Sequence, residues 1–77
     1  MALISDATNS WSTPVTLTSD EIWQVRKGSV FLTTEASPAA DDGLNLSETQ
    51  AVQLPAGTAV RYRKTGDTVS LIVREAV

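Results

Sequence analysis

No stretch of this chain sustains a helical spacing of apolar residues; where they gather, they alternate with polar ones, and a turn signal soon follows. Alternation with a period of two is the mark of strands with one face buried. In "STPVTLTS", Val15 and Leu17 share a face, with Thr16 and Thr18 on the other. "EIWQVRKG" sets Trp23 and Val25 against Ile22 and Gln24, with the phase open to exchange across the "RKGS" turn. "SVFLTTE" puts Val30 and Leu32 on one face and Phe31 on the other. Pro38, two aspartates and Gly43 make "ASPAADDGLNL" the longest loop, and "LNLSETQAVQL" resumes with Leu44, Leu46, Val52 and Leu54. "PAGT" turns the chain at Pro55 and Gly57. The expectation is one all-β domain, a small antiparallel barrel or sandwich of about six or seven strands over residues 14–77. Residues 1–13 form an N-terminal arm. The expected core is Val15, Leu17, Trp23, Val25, Val30, Leu32, Val52, Leu54, Val60, Tyr62, Val69, Leu71 and Val73. A competing signal is "TSDE" at Thr18–Glu21, a capping box that opens helices; too few helix-favouring residues follow it to sustain one.

The segment from Ala59 to Val77, "AVRYRKTGDTVSLIVREAV", reads as a β-hairpin turning at "KTGD". A two-residue turn at Thr65-Gly66 sets Tyr62 opposite Val69 and Val60 opposite Leu71. A turn at Gly66-Asp67 sets Tyr62 opposite Leu71 and Val60 opposite Val73. Either register pairs apolar residues, whereas a three-residue loop would set Tyr62 opposite Ser70 and scramble the faces, so a two-residue turn is favoured. The opposite face then carries Arg61, Arg63, Ser70, Ile72 and Arg74.

Composition removes most chemistry. With no cysteine there is no disulfide and no thiolate, and with no histidine there is no common general base or metal ligand. No paired-carboxylate motif or glycine-rich phosphate loop is visible. A chain of 77 residues also has little volume in which to enclose a pocket. The reading is a non-enzyme without cofactor and without bound metal. A cupin-like enzyme is undercut by the missing histidines. In "DDGLNLSE", Asp41, Asp42, Asn45, Ser47 and Glu48 invite a calcium reading, but Gly43 comes too early for the 12-residue calcium loop. A net charge of -3 opposes general affinity for nucleic acid. No apolar run reaches the roughly 20 residues of a membrane span, and "MALISDATNSW" lacks the basic region of a signal peptide. Cytoplasmic synthesis is the default expectation.

Size argues for association. Apolar burial contributes roughly 25 cal/mol per Å², whereas ordering a residue costs about 1–2 kcal/mol. A domain this short, with no disulfide or metal, comes out near balance alone. Ile72 amid arginines suggests a covered face. Arginine suits interfaces because its stem packs while its fork finds carboxylates. Asp20, Glu21, Glu35, Asp41 and Asp42 are candidate carboxylates on a neighbour. The expected interface set is Arg61, Arg63, Ile72 and Arg74, with Leu3, Ile4 and Trp11 from the arm. Trp11 packs either on a neighbour or back on its own chain. The arginine row also admits a solvated face that blocks edge pairing, or an anion site.

From Ile22 onward, four stretches follow one another: "WQVRKGSVFL", "SPAADDGLNL", "AVQLPAGTAV" and "RYRKTGDTVSLIVRE". In this pattern the chain resembles small phage and prophage structural proteins of the capsid decoration and head-fibre or spike type. The resemblance implies a virion structural protein without catalysis, a homo-oligomer with a trimer favoured, attached to a larger shell or fibre. It carries over no functional residues. The alternative is a small carbohydrate- or anion-binding β module using Trp11, Tyr62 and the arginine row. Localisation follows: virion if the chain is phage-derived, otherwise cytoplasmic.

Overall fold

The computed structural model describes residues 2–39, 42–66 and 68–77. Eight strands are present: β1 (Ala2–Ile4), β2 (Val15–Thr16), β3 (Glu21–Lys27), β4 (Ser29–Thr33), β5 (Leu44–Ser47), β6 (Ala51–Leu54), β7 (Ala59–Lys64) and β8 (Leu71–Ala76). No helix occurs among the described residues, so the capping-box signal at Thr18–Glu21 leads into a strand. The strands form two antiparallel sheets, ordered β1-β8-β3-β6 and β2-β7-β4-β5. That is the strand order of an eight-stranded jelly roll, two sheets packed face to face. The all-β expectation holds, with eight strands in place of six or seven. The additional strand is β1, inside the segment expected to be an arm. It pairs with β8 through Ala2↔Arg74, Leu3↔Val73 and Ile4↔Ile72.

The core follows the period-two reading in most strands. Leu17, Trp23, Val25, Val30, Leu32, Leu54, Val60, Tyr62 and Ile72 form one buried cluster, with Ile4, Ala7, Val15, Leu46 and Val52 packed against it. Trp23 and Val25 face inward, and Ile22 is exposed. Two corners need glycine. Gly28 turns β3 into β4 at φ +74°, and Gly43 enters β5 at φ +93°, where a Cβ would come within 2.2 Å of the Leu32 carbonyl oxygen.

The closing hairpin is corrected. β7 pairs with β4 and β2, whereas β8 pairs with β3 and β1, so the two strands lie in different sheets. Both edges of each strand are already taken, which leaves no ladder between them. The link is anchored at both ends on the Ser29 carbonyl, which accepts from the Thr65 amide and from the buried Ser70 hydroxyl, each at 3.2 Å. The central turn residue Asp67 lies outside the described residues.

The phase of β8 is corrected with it. Ile72 is fully buried opposite Val25 and Ile4, while Val69 is 55% exposed and Leu71 half-buried. Val69, Leu71, Ile72 and Val73 are all aliphatic, so alternation does not choose between the faces. What decides is that β8 pairs with β3, which sets Ile72 beside Val25 and Arg74 beside Trp23.

Candidate functional site

Splitting β7 from β8 divides the expected arginine row. Arg61 and Arg63 alternate with the buried Val60 and Tyr62, so they stand on the outer face of the second sheet. There Arg63 lies opposite Phe31, and Arg61 opposite Thr33. The Arg63 guanidinium sits 4.4 Å from the Phe31 ring centre and 5.5 Å from that of Trp11. A guanidinium held over two aromatic faces is attracted by both ring quadrupoles. Its Nη1 donates to the Lys64 carbonyl at 3.3 Å, and its Nε is buried without an acceptor. Trp11 packs on its own chain: its indole Nε1 donates to the Ala39 carbonyl at 2.8 Å. Arg61 Nη1 donates to the Ser12 carbonyl at 3.1 Å. Ser12 fastens this segment to β7, since its hydroxyl accepts from the Tyr62 amide and its amide donates to the Tyr62 carbonyl.

Arg74 is elsewhere. It is directed between the sheets, where its Nε and Nη2 donate to the two oxygens of Glu21, each at 2.8 Å. Glu21 also accepts from the Trp23 indole at 3.0 Å, and the guanidinium lies 5.3 Å from the Trp23 ring centre. Glu21 is therefore a buried partner of its own chain's Arg74, and this corrects its reading as a carboxylate for a neighbour. The Arg74 hydrogen bonds hold the Glu21 carboxyl below its ordinary value, against the opposing effect of burial. Ile72 is likewise removed from any outer face, being wholly inside the core.

Of the two remaining members of the expected set, Leu3 stands on the outer face of the first sheet. Leu3 pairs with Val73, Val73 with Gln24, and Gln24 with Ala51 on this face, where Val73 is itself covered and buried, as expected. Leu3 is 57% exposed and Ile22, one step along β3, 42%. Gln24, Gln53, Glu75 and the exposed Arg26, whose Nε donates to Gln24 at 3.1 Å, complete this nearly neutral surface. Ile4 faces inward and is half-buried.

A cleft of about 260 Å³ opens between the sheets, lined by Leu32, Leu44, Val52, Leu54 and Val60, with Glu35 at its rim. Hydrogen bonding to Asp42, and then that group's charge, raise the pKa of the Glu35 carboxyl. Of the described "DDGLNLSE" oxygens, those of Asn45 and Ser47 lie on β5, while Asp42 precedes the strand and Glu48 follows it. Asp42 accepts from the Ala39 amide, and Glu48 accepts from the Gly28 amide. Asp41, counted in both the calcium and the carboxylate readings, lies outside the described residues. Among the described residues, no three acidic side chains gather around a common point.

Sequence reasoning missed Phe31 as a partner of Arg63, the shared sheet face of Ile22 and Leu3 on either side of β8, and the Glu21–Arg74 pair. Phe31 was legible as an outward aromatic, but its register against β7 was not. No protein-family model, curated protein or solved structure matches the chain.

Proposed function

We propose that this chain is a non-enzymatic assembly module that self-associates through the outer face of its first sheet. The carrying observation is that face itself. Leu3 and Ile22 stand exposed on it around the buried Val73, with two glutamines, one carboxylate (Glu75) and one cation (Arg26) beside them. A nearly neutral, partly apolar sheet face can meet a copy of itself without charge repulsion. The cationic outer face of the second sheet would repel its own copy in the same arrangement. Size supports association as well, since a 77-residue domain without cysteine gains stability from a partner.

The virion setting rests on the resemblance to small phage structural proteins, with a trimer as the favoured order and a larger shell or fibre as the attachment. The jelly-roll topology supports it only as an analogy of fold, because capsid and lectin domains share this architecture. Light scattering coupled to size exclusion at micromolar concentration tests the association. We expect an oligomer, and a shift to monomer in the double variant Leu3→Lys, Ile22→Lys. A monomeric parent protein refutes the reading. A coding neighbourhood of capsid, portal or tail genes supports the virion setting, and a metabolic neighbourhood removes it.

A further inference from the structure

We infer that the outer face of the second sheet binds an anionic saccharide, in which Arg61 and Arg63 hold sulfate or carboxylate groups and Trp11 supplies a stacking surface. The inference is independent of self-association, because it uses the opposite face of the sandwich. Arg61 and Arg63 are two residues apart on one strand face, so their Cα atoms are about 7 Å from each other. The chain has nine acidic residues against six basic ones, yet among the described residues the ion pair is Glu21–Arg74, and neither Arg61 nor Arg63 has a carboxylate partner. Two uncompensated guanidiniums on an acidic protein point to an anion from outside.

The orientation of Arg63 is set before any ligand arrives. Phe31 and Trp11 hold its plane, and the Ala39 carbonyl holds the Trp11 indole in turn. Such preorganisation reduces the entropy lost on binding.

The aromatic surroundings select among anions. Trp11 and Phe31 are half-buried, and a ring face with negative quadrupole suits the C–H edge of a sugar ring. Asn45 lies exposed opposite Phe31 and offers an amide to hydroxyl groups. A bare inorganic anion has no use for these rings. A nucleic acid meets the net charge of -3.

Tryptophan fluorescence can follow binding, since Trp23 is fully buried and Trp11 lies at the site. The probes are a heparin-derived hexasaccharide, its desulfated counterpart, sodium sulfate and hexaglutamate. The sulfated hexasaccharide is expected to give a saturable change that is lost in Trp11→Phe, with the other three much weaker. Arg61→Gln and Arg63→Gln should each weaken binding by about tenfold, the scale of one lost charge-assisted hydrogen bond. Lys27→Gln, an exposed cation remote from the site, should change it by less than about twofold. Arg63 is packed between rings, so circular dichroism accompanies its variant; if that variant unfolds, Arg61→Gln alone decides. Equal loss in Lys27→Gln, equal affinity for hexaglutamate, or no saturable binding overturns the inference.

Discussion

Tyr62 is the only tyrosine in the chain, and its hydroxyl donates to an Asp6 carboxylate oxygen at 2.7 Å. Burial, then the Asp6 contact, push its phenol from 10.0 to about 12. The folded state thus favours the neutral phenol. Stability from this site is complete below pH 10 and is lost as pH rises through 12. Ultraviolet titration should find no phenolate before the alkaline unfolding transition, and a midpoint near 10 in the folded protein would refute this. Glu21 has the opposite sign. Its carboxyl is held below the ordinary 4.5, so its contribution is full above that value and lost as pH falls through the lowered one. Arg74→Leu strands the Glu21 carboxylate between the sheets. Breaking a buried pair this way costs about 3–5 kcal/mol, and partial exposure of Arg74 places the loss near the lower end. Urea denaturation at neutral pH measures it, and the difference from the parent should shrink in acid. Glycines separate two causes of strain. Gly43 and Gly57 both have positive φ, but only Gly43 would drive a Cβ into backbone, whereas Gly57 faces open space. Gly43→Ala should therefore cost more than Gly57→Ala, whose penalty is the left-handed backbone alone, about 1 kcal/mol.

At the scale of the element, β8 offers the sharpest contrast. Ile72→Asp places a charge among Val25, Ile4 and Trp23 and is expected to unfold the chain, whereas Val69→Asp, on the exposed link, should leave the melting temperature nearly unchanged. Equal effects from the two would mean that β8 has the opposite phase. The same strand shows what was legible beforehand. Val30, Leu32 and Tyr62 alternate with polar residues or with Phe31 and were read on their correct face, as was Val60, while Trp23 and Val25 took the favoured of two phases left open by Ile22. β8 could not be read so, because Leu71-Ile72-Val73 is apolar on both faces. The "KTGD" turn suggested a neighbour in the same sheet, whereas in this topology the link crosses to the other sheet. Turn residues report that the chain reverses; which partner the next strand meets depends on edges already occupied by β4 and β2. The Trp11–Arg63–Phe31 stack was hidden for a similar reason, since it joins three segments remote in sequence.

Considered as a whole, the molecule pairs sequence neighbours once among the described residues, at β4–β5; the other strand pairings join segments distant along the chain. Loop-closure entropy must be met before such contacts form, so folding should be slow for this size, on the order of milliseconds to seconds. Stopped-flow fluorescence of Trp23 would measure it, and microsecond folding would contradict the topology. The two sheets also turn surfaces of unlike character in opposite directions: Leu3 and Ile22 on one, Arg61 and Arg63 on the other. In the proposed assembly, copies joined through the first would leave Arg61 and Arg63 pointing away from the joint. A long polymer studded with anionic groups would then be gripped at several points at once. Release from one clamp leaves the chain tethered at a local concentration set by subunit spacing, so modest single-site affinity is multiplied into avidity.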